Sequence, residues 1–242
     1  MPKGVFIIGT DTDVGKTIVT AGLMHVLRKT GHNAIYFKAA LSGAVEAGGG
    51  ELIPGDTELV STVSDLNEAY ENMTPYVYKT AVSPHLAAKI ENKPIQKDVI
   101  FEKFADLKTR YDYIIAEGSG GIICPLIDDD EGVYTLANLI KELNMNVLLV
   151  ARATLGTINH TVLTVRFLET AGITVKGIIL NFYEENQLCE DNAMMIEKLT
   201  KVPIIAKLKK IENQDHNFIE AIKIKAELDF SVEEILNCLD SI

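Results

Sequence analysis

The stretch "GTDTDVGKT", Gly9–Thr17, decides how the rest of this chain reads. It has the composition of a phosphate-binding loop but departs from the Walker A spacing. That pattern puts four residues between its first Gly and its Gly-Lys-[Ser/Thr]. Here five residues separate Gly9 from Gly15, and Thr10 occupies the fitting position. The surroundings nevertheless match: the apolar run Val5–Gly9 reads as a strand, the loop follows, and a helix is predicted over Lys16–Lys29. In that setting Gly15 lets the backbone approach a phosphate, and the exposed N–H groups and dipole of the helix start favour negative charge. Lys16 is predicted to reach the β- and γ-phosphates, with the Thr17 hydroxyl on Mg²⁺. A bare strand-turn-helix corner with a surface lysine is the competing reading; the position of Gly-Lys-Thr at the junction argues against it. The longer loop also offers the side chains of Asp11, Thr12 and Asp13 to a second substrate.

Working outward, apolar runs recur at Ala34–Phe37, Tyr113–Ala116, Val147–Val150, Val175–Leu180 and Ile204–Ala206. Bounded by turns, they suit buried strands of a parallel sheet. Helices are predicted over Thr135–Leu143, Thr157–Thr170 and Gln187–Thr200, with Gly31, Asn144, Gly172 and Val202–Pro203 marking helix ends. The segment from Asp56 to Leu107 reads as helix-rich, with an extended piece at Tyr76–Lys79. Strand alternating with helix predicts an α/β fold of the P-loop NTPase type: an open, mostly parallel, doubly wound sheet with helices on both faces. The expectation is a single domain over residues 1–242, the Gly48–Gly50 run being a loop tip rather than a boundary.

The composition narrows the function. The formal net charge is −11, which disfavours nucleic acid as a partner. No apolar stretch is long enough to span a bilayer, so no membrane is expected. Cys124, Cys189 and Cys238 show neither metal spacing nor a disulfide framework, which fits a reducing cytoplasm.

Further polar residues stand at the carboxyl ends of the predicted strands, where ligands bind in open α/β sheets. Lys38 ends the second strand, and Ser42 lies in the loop after it. A lysine there stabilises charge on a transferring phosphoryl group or an acidic substrate; alone, it would read as a solvated surface residue. Asp56, at a helix start, is either an N-cap or a site residue. Glu117 ends an apolar strand and opens a Gly-rich turn, Gly118–Ser119–Gly120–Gly121, the usual second source of Mg²⁺ coordination in P-loop enzymes. In "LGTINH", Leu155–His160, helix-start N–H groups suit a carboxylate, while Thr157 caps the helix and His160 reads as structural. Asn181 is either a turn residue or a base reader.

Taken in order, "GTDTDVGKT", Lys38 with Ser42–Gly43, "SPH" at Ser83–His85, "EGSGG" at Glu117 and "LGTINH" resemble the dethiobiotin synthetase family, from Gly9 to about Ile211. The resemblance implies conversion of 7,8-diaminopelargonate, CO₂ and ATP to dethiobiotin, ADP and phosphate, through a carbamate and a carbamic-phosphoric mixed anhydride. It implies Lys16 and Lys38 as catalytic groups holding the γ-phosphate and the carbamate. Nucleotide contacts fall on Asp13, Val14, Gly15, Lys16, Thr17, Ile18, Asp56, Glu117, Gly118, Ser119 and Gly120. On the adenine side they fall on Asn181, Phe182, Lys209, Lys210 and Ile211. Thr17, Asp56 and Glu117 would set Mg²⁺. Thr12 and Ser42 would contact the reacting end of the substrate. The family is homodimeric, so Gly156, Thr157 and Asn159 would receive the substrate carboxylate across the interface. Two departures stand out. Ala39 follows Lys38 where the family has Pro, and "AKLKK", Ala206–Lys210, replaces a segment that usually carries Pro beside the adenine.

Two other classes compete. A P-loop amide-forming synthetase acting on a cobalamin precursor would need a glutamine-hydrolysing domain for which this chain is too short. A partitioning or localisation ATPase switch would carry an extra Lys early in the loop, where this chain has Asp11, and a basic tail that is not seen.

Overall fold

In the computed structural model, which describes residues 1–211 and 217–242, the run Lys3–Gly9 lies at the centre of the sheet with every residue from Gly4 onward buried. It pairs in parallel with Val147–Arg152 on one side and Tyr113–Gly121 on the other. Beyond these, Ile204–Leu208 and Val175–Asn181 extend one edge, and Ala34–Phe37 forms the other. The short Asp240–Ser241 strand adds antiparallel to the start of the first strand. These strands are apolar on both faces because helices cover them, and each buried Val, Leu or Ile side chain stabilises by about 1.5–3 kcal/mol.

The chain leaves the first strand for Ala34–Phe37, two places to one side, and later fills the opposite side. The crevice beyond the carboxyl end of Lys3–Gly9 is therefore a topological switch point, the place where such sheets bind ligands. The helix Lys16–Lys29 starts there and packs on Gly55–Val63 and Phe218–Asp229; Thr157–Thr170 packs on Gln187–Thr200. Gly31, Asn144 and Gly172 take left-handed conformations where helices end, as their composition predicts. The Gly48–Gly50 run lies in the turn joining the paired strands Val45–Glu46 and Leu52–Ile53.

The structure corrects the readings of Glu117 and Ser42 and decides between the two left open for Asp56. Glu117 does not end its strand: the strand runs on through Gly121, alongside Gly9. A Cβ at Gly118 would come within 2.5 Å of a Leu136 methyl group, and Gly120 takes φ 70° where the register with the first strand shifts, so the glycines sit in an irregular stretch of strand rather than a terminal turn. Asp56 is not an N-cap. Pro54 occupies that position, and Asp56 lies in the first helical turn with its carboxylate turned to Lys38. Ser42 is not in a loop but ends a short strand, Ala40–Ser42, paired with Tyr76–Tyr78.

Candidate active site

The loop after Gly9 closes on itself through local contacts. The Asp11 carboxylate accepts from the Thr12 N–H at 2.7 Å, and Lys16 Nζ donates to the Asp11 carbonyl at 3.1 Å. Gly15 begins the helix at φ 87°, a conformation that favours glycine, and an added Cβ would meet Asn181 Nδ2 at 2.1 Å. Asn181 itself donates to the Val14 carbonyl at 2.9 Å, and its Oδ1 accepts from the Phe182 N–H. The loop is thus braced from a strand two places away in the sheet. Arg152, which the sequence reading did not single out, adds a bond from Nη2 to the Asp13 carbonyl at 2.7 Å and stacks over Phe182. Its position at the carboxyl end of a strand was the available signal.

Sheet register brings the charged groups together. Phe37 stands beside Ala116, so the next residues, Lys38 and Glu117, are neighbours. Lys38 Nζ donates to Glu117 Oε1 at 2.8 Å and to Asp56 Oδ2 at 2.6 Å. The Thr17 hydroxyl donates to the same Glu117 Oε1 at 3.0 Å. Lys38 and Glu117 are buried, 4% and 1% exposed, so their charges are held by each other rather than by water. Burial works to lower the Lys38 pKa, but the Glu117 and Asp56 carboxylates overcome it and raise it. Burial works to raise Asp56, and the Lys38 charge overcomes that and lowers it. Lys16 is lowered, first by burial and then by the Lys38 charge. Glu117 Oε2 is buried without a hydrogen-bond partner.

These groups line one cavity of about 470 Å³. From the loop and helix come Thr12, Asp13, Gly15, Lys16, Thr17 and Ile18; from the segments after Ala34–Phe37 come Lys38, Leu41, Ser42 and Asp56; from the adjacent strand Tyr113–Gly121 come Glu117, Ser119 and Gly120, and Phe182 follows the strand Val175–Asn181. Ser119 is tied down by donating to the Ala40 carbonyl at 2.6 Å. Of the predicted nucleotide residues on the phosphate side, Val14 and Gly118 do not line the cavity: Val14 is buried, and Gly118 packs toward Leu136. Cys124 stands near this cavity, its thiol pushed up by burial despite Lys16 and Lys38.

The adenine-side residues divide. Asn181 and Ile211 border a narrow apolar slot with Ile18, Gly22 and Phe230. Lys209 does not line it; its Nζ is 2.8 Å from Glu185. Lys210 is exposed and does not line it either.

Gly156, Thr157 and Asn159 lie apart from the phosphate cavity. Gly156 caps the Thr157–Thr170 helix at φ 91°, Thr157 is buried against Thr161, and Asn159 is exposed. Gly156 and Asn159 border an open, largely apolar depression of about 480 Å³ with Leu155 and Leu163. Leu155 is 86% exposed and Leu163 61%, so the depression presents exposed apolar side chains.

Comparison with known proteins came out as follows. A family model described as an AAA domain matches residues 3–216. The ATP-dependent dethiobiotin synthetase BioD of Clostridium kluyveri is 62% identical over 242 residues, covering 100% of both chains. The enzyme of the same name from Clostridium acetobutylicum is 53% identical over 240 residues, 99% of this chain and 100% of that one. Among solved structures, a ParA family ATPase from Chlorobium tepidum aligns over 94% of this chain and 92% of its own with a TM-score of 0.57; at 14% identity the likeness is one of fold.

Proposed function

Because the chain belongs to the ATP-dependent dethiobiotin synthetase family, ligases that form a carbon–nitrogen bond in biotin biosynthesis, we propose that its phosphate cavity carries out both the phosphoryl transfer and the ring closure. The observation that carries this reading is the bridge of Lys38 between Glu117 and Asp56, beside Lys16 of the phosphate loop.

One amine of 7,8-diaminopelargonate captures CO₂ as a carbamate, releasing a proton. A carbamate oxygen attacks the γ-phosphorus of ATP, the bond to the bridging oxygen breaks, and ADP leaves. The second amine then attacks the mixed-anhydride carbon and phosphate departs. Negative charge moves between carbamate, γ-phosphate and leaving group at each stage. Two cations held by the fold, the buried Lys16 and Lys38, stabilise such movement because their charges need no reorganisation. Lys16 is assigned to the phosphoryl oxygens, and Lys38 to the oxygens shared between carbamate and phosphate. Thr12 and Ser42 line the same cavity and are assigned to the reacting end of the substrate.

The residues fit Mg²⁺. Hard oxygen donors converge in the Thr17 hydroxyl, the Asp56 carboxylate and Glu117, whose buried Oε2 has no partner. No cluster of three or more His, Cys, Asp or Glu suited to a metal occurs among the described residues. Mg²⁺ in ATP sites is held through one or two carboxylates with phosphates and water completing the shell, and Asp56 and Glu117 supply such carboxylates in this cavity. When bound, the ion neutralises charge on the β- and γ-phosphates.

The carboxylate end of the substrate is assigned to a second copy of the chain. The "LGTINH" helix start has no side-chain cap and lies beside an exposed apolar face, so a C₂ pairing would cover that face and complete the site. We read the chain as a single α/β domain, supported by one continuous buried core, and as cytoplasmic, supported by three unpaired cysteines. No helix of the described residues is long and apolar enough to cross a membrane.

The test is product formation. Purified protein with diaminopelargonate, bicarbonate and ATP is expected to form dethiobiotin, followed by mass spectrometry, only when Mg²⁺ is supplied. Equal product in EDTA would overturn the metal assignment.

A further inference from the structure

Tyr36 lies in the strand Ala34–Phe37, directly beside Ile115 in the neighbouring parallel strand. Residues in register share a face of the sheet, and residues two apart on one strand do too. Tyr36, Lys38, Ile115 and Glu117 therefore lie on the same face, with the phenol one strand step beneath the Lys38–Glu117 pair. The ring is fully buried, and its hydroxyl has no hydrogen-bond partner. Glu117 Oε2, the other buried oxygen without a partner in this part of the sheet, belongs to the carboxylate that acts most strongly on the phenol. Asp56 acts on it less. An unpartnered hydroxyl at a buried core position is costly, and Phe would fill the same volume without that cost. Packing alone therefore gives no reason for a tyrosine here.

We propose that Tyr36 is a positioning residue of the Mg²⁺–ATP site: its phenol and Glu117 Oε2, both buried and not bonded to each other here, pair when Mg²⁺ and nucleotide bind, and that bond then holds Oε1 toward Thr17 and Lys38. A carboxylate oxygen has two lone pairs, so Oε2 can accept from the phenol and still face metal-bound water. Tyr36 touches no substrate in this role; it acts through Glu117. The inference rests on the Mg²⁺ assignment made above.

The test is Tyr36→Phe in the full chain. Melting temperature is measured with ADP in EDTA and with ADP over a Mg²⁺ series. Wild type is expected to gain stability with Mg²⁺. The variant, with an unchanged or higher melting temperature in EDTA, is expected to need about tenfold more Mg²⁺ for half the gain, the loss of one hydrogen bond to a charged group. Turnover should show the same shift in Mg²⁺ requirement, with kcat largely recovered at saturating Mg²⁺. A purely packing role would leave both Mg²⁺ curves unchanged, and that result overturns the proposal while sparing the metal assignment. A wild-type protein with no Mg²⁺-dependent gain overturns the metal assignment and this proposal together.

Discussion

Lys38 Nζ and Glu117 Oε1 are 2.8 Å apart, in a region where both side chains are almost wholly removed from water. Each charge is tolerated because the other is present, so the pair is at once a structural and a catalytic unit. Lys38→Met would leave the Glu117 carboxylate uncompensated, at a cost of about 3–5 kcal/mol. Adding Glu117→Gln should return most of that stability, while neither variant is active. Urea unfolding of the two single variants and the double checks this; strictly additive losses would show that the pair is not coupled.

Among the described residues the Lys16 side chain makes one hydrogen bond, to a backbone carbonyl of its own loop. Its replacement should therefore spare the fold and remove charge stabilisation from the transferring phosphoryl group. Lys16→Gln is expected to lower kcat by roughly 10²–10³, about 3–4 kcal/mol, with a melting temperature near that of wild type. Steady-state kinetics within a few-fold of wild type would place Lys16 outside the chemistry.

Nucleotide selectivity should be loose. Asn181 spends both ends of its amide on Val14 and Phe182, and Lys209 is turned to Glu185. The remaining slot is apolar, and an apolar slot distinguishes bases poorly. GTP or CTP is expected to support turnover within about tenfold of ATP, a window of roughly 1.4 kcal/mol. Side-by-side kcat/KM values decide it, and strict preference for ATP would mean that other contacts read the base.

The composite site can be tested by subunit mixing. Asn159→Ala should weaken diaminopelargonate binding and leave ATP binding unchanged, as measured by calorimetry. Lys38→Ala and Asn159→Asp chains are each expected to be inactive alone. In a mixed dimer one site collects both defects and the other none. With free exchange half the dimers are mixed, so about a quarter of wild-type activity should return. Confirmed exchange without recovered activity would rule out a shared site.

Acid should weaken the fold through Glu68. Burial opposes its charge, but hydrogen bonds from Asn72 and Tyr111 and the Arg110 guanidinium lower its pKa from 4.5 to about 2. A carboxylate held low in the folded state stabilises it fully above the unfolded value and loses that contribution as pH falls through the folded one. The window is therefore from about pH 4.5 down to about pH 2. Glu68→Gln should be less stable than wild type at neutral pH, with the difference shrinking across that window in urea titrations. A constant difference would show that Glu68 is not the group titrating.

The local features were legible along the chain. Gly15 at a strand-helix junction, the helix spans Lys16–Lys29, Thr157–Thr170 and Gln187–Thr200, and the apolar runs of the sheet all follow from short-range rules: the strand period, helix periodicity and terminal residue preferences. Lys38, Asp56 and Glu117 could each be noticed as polar residues beside apolar segments. Their meeting could not be read there. Thr17 and Glu117 are 100 positions apart, and Lys38 and Glu117 are 79. Whether they touch depends on which strands pair and in what register, and a shift of one residue would turn Lys38 and Glu117 to opposite faces. The same register puts Tyr36, which reads as one more apolar position in "AIYF", beneath the two charges. Glu117 lies inside its strand rather than at its end because pairing with the first strand resumes beyond it, after a shift of register, where Gly121 stands beside Gly9. Long-range packing, not local preference, selects these contacts, because only the assembled sheet can bury charged side chains in pairs.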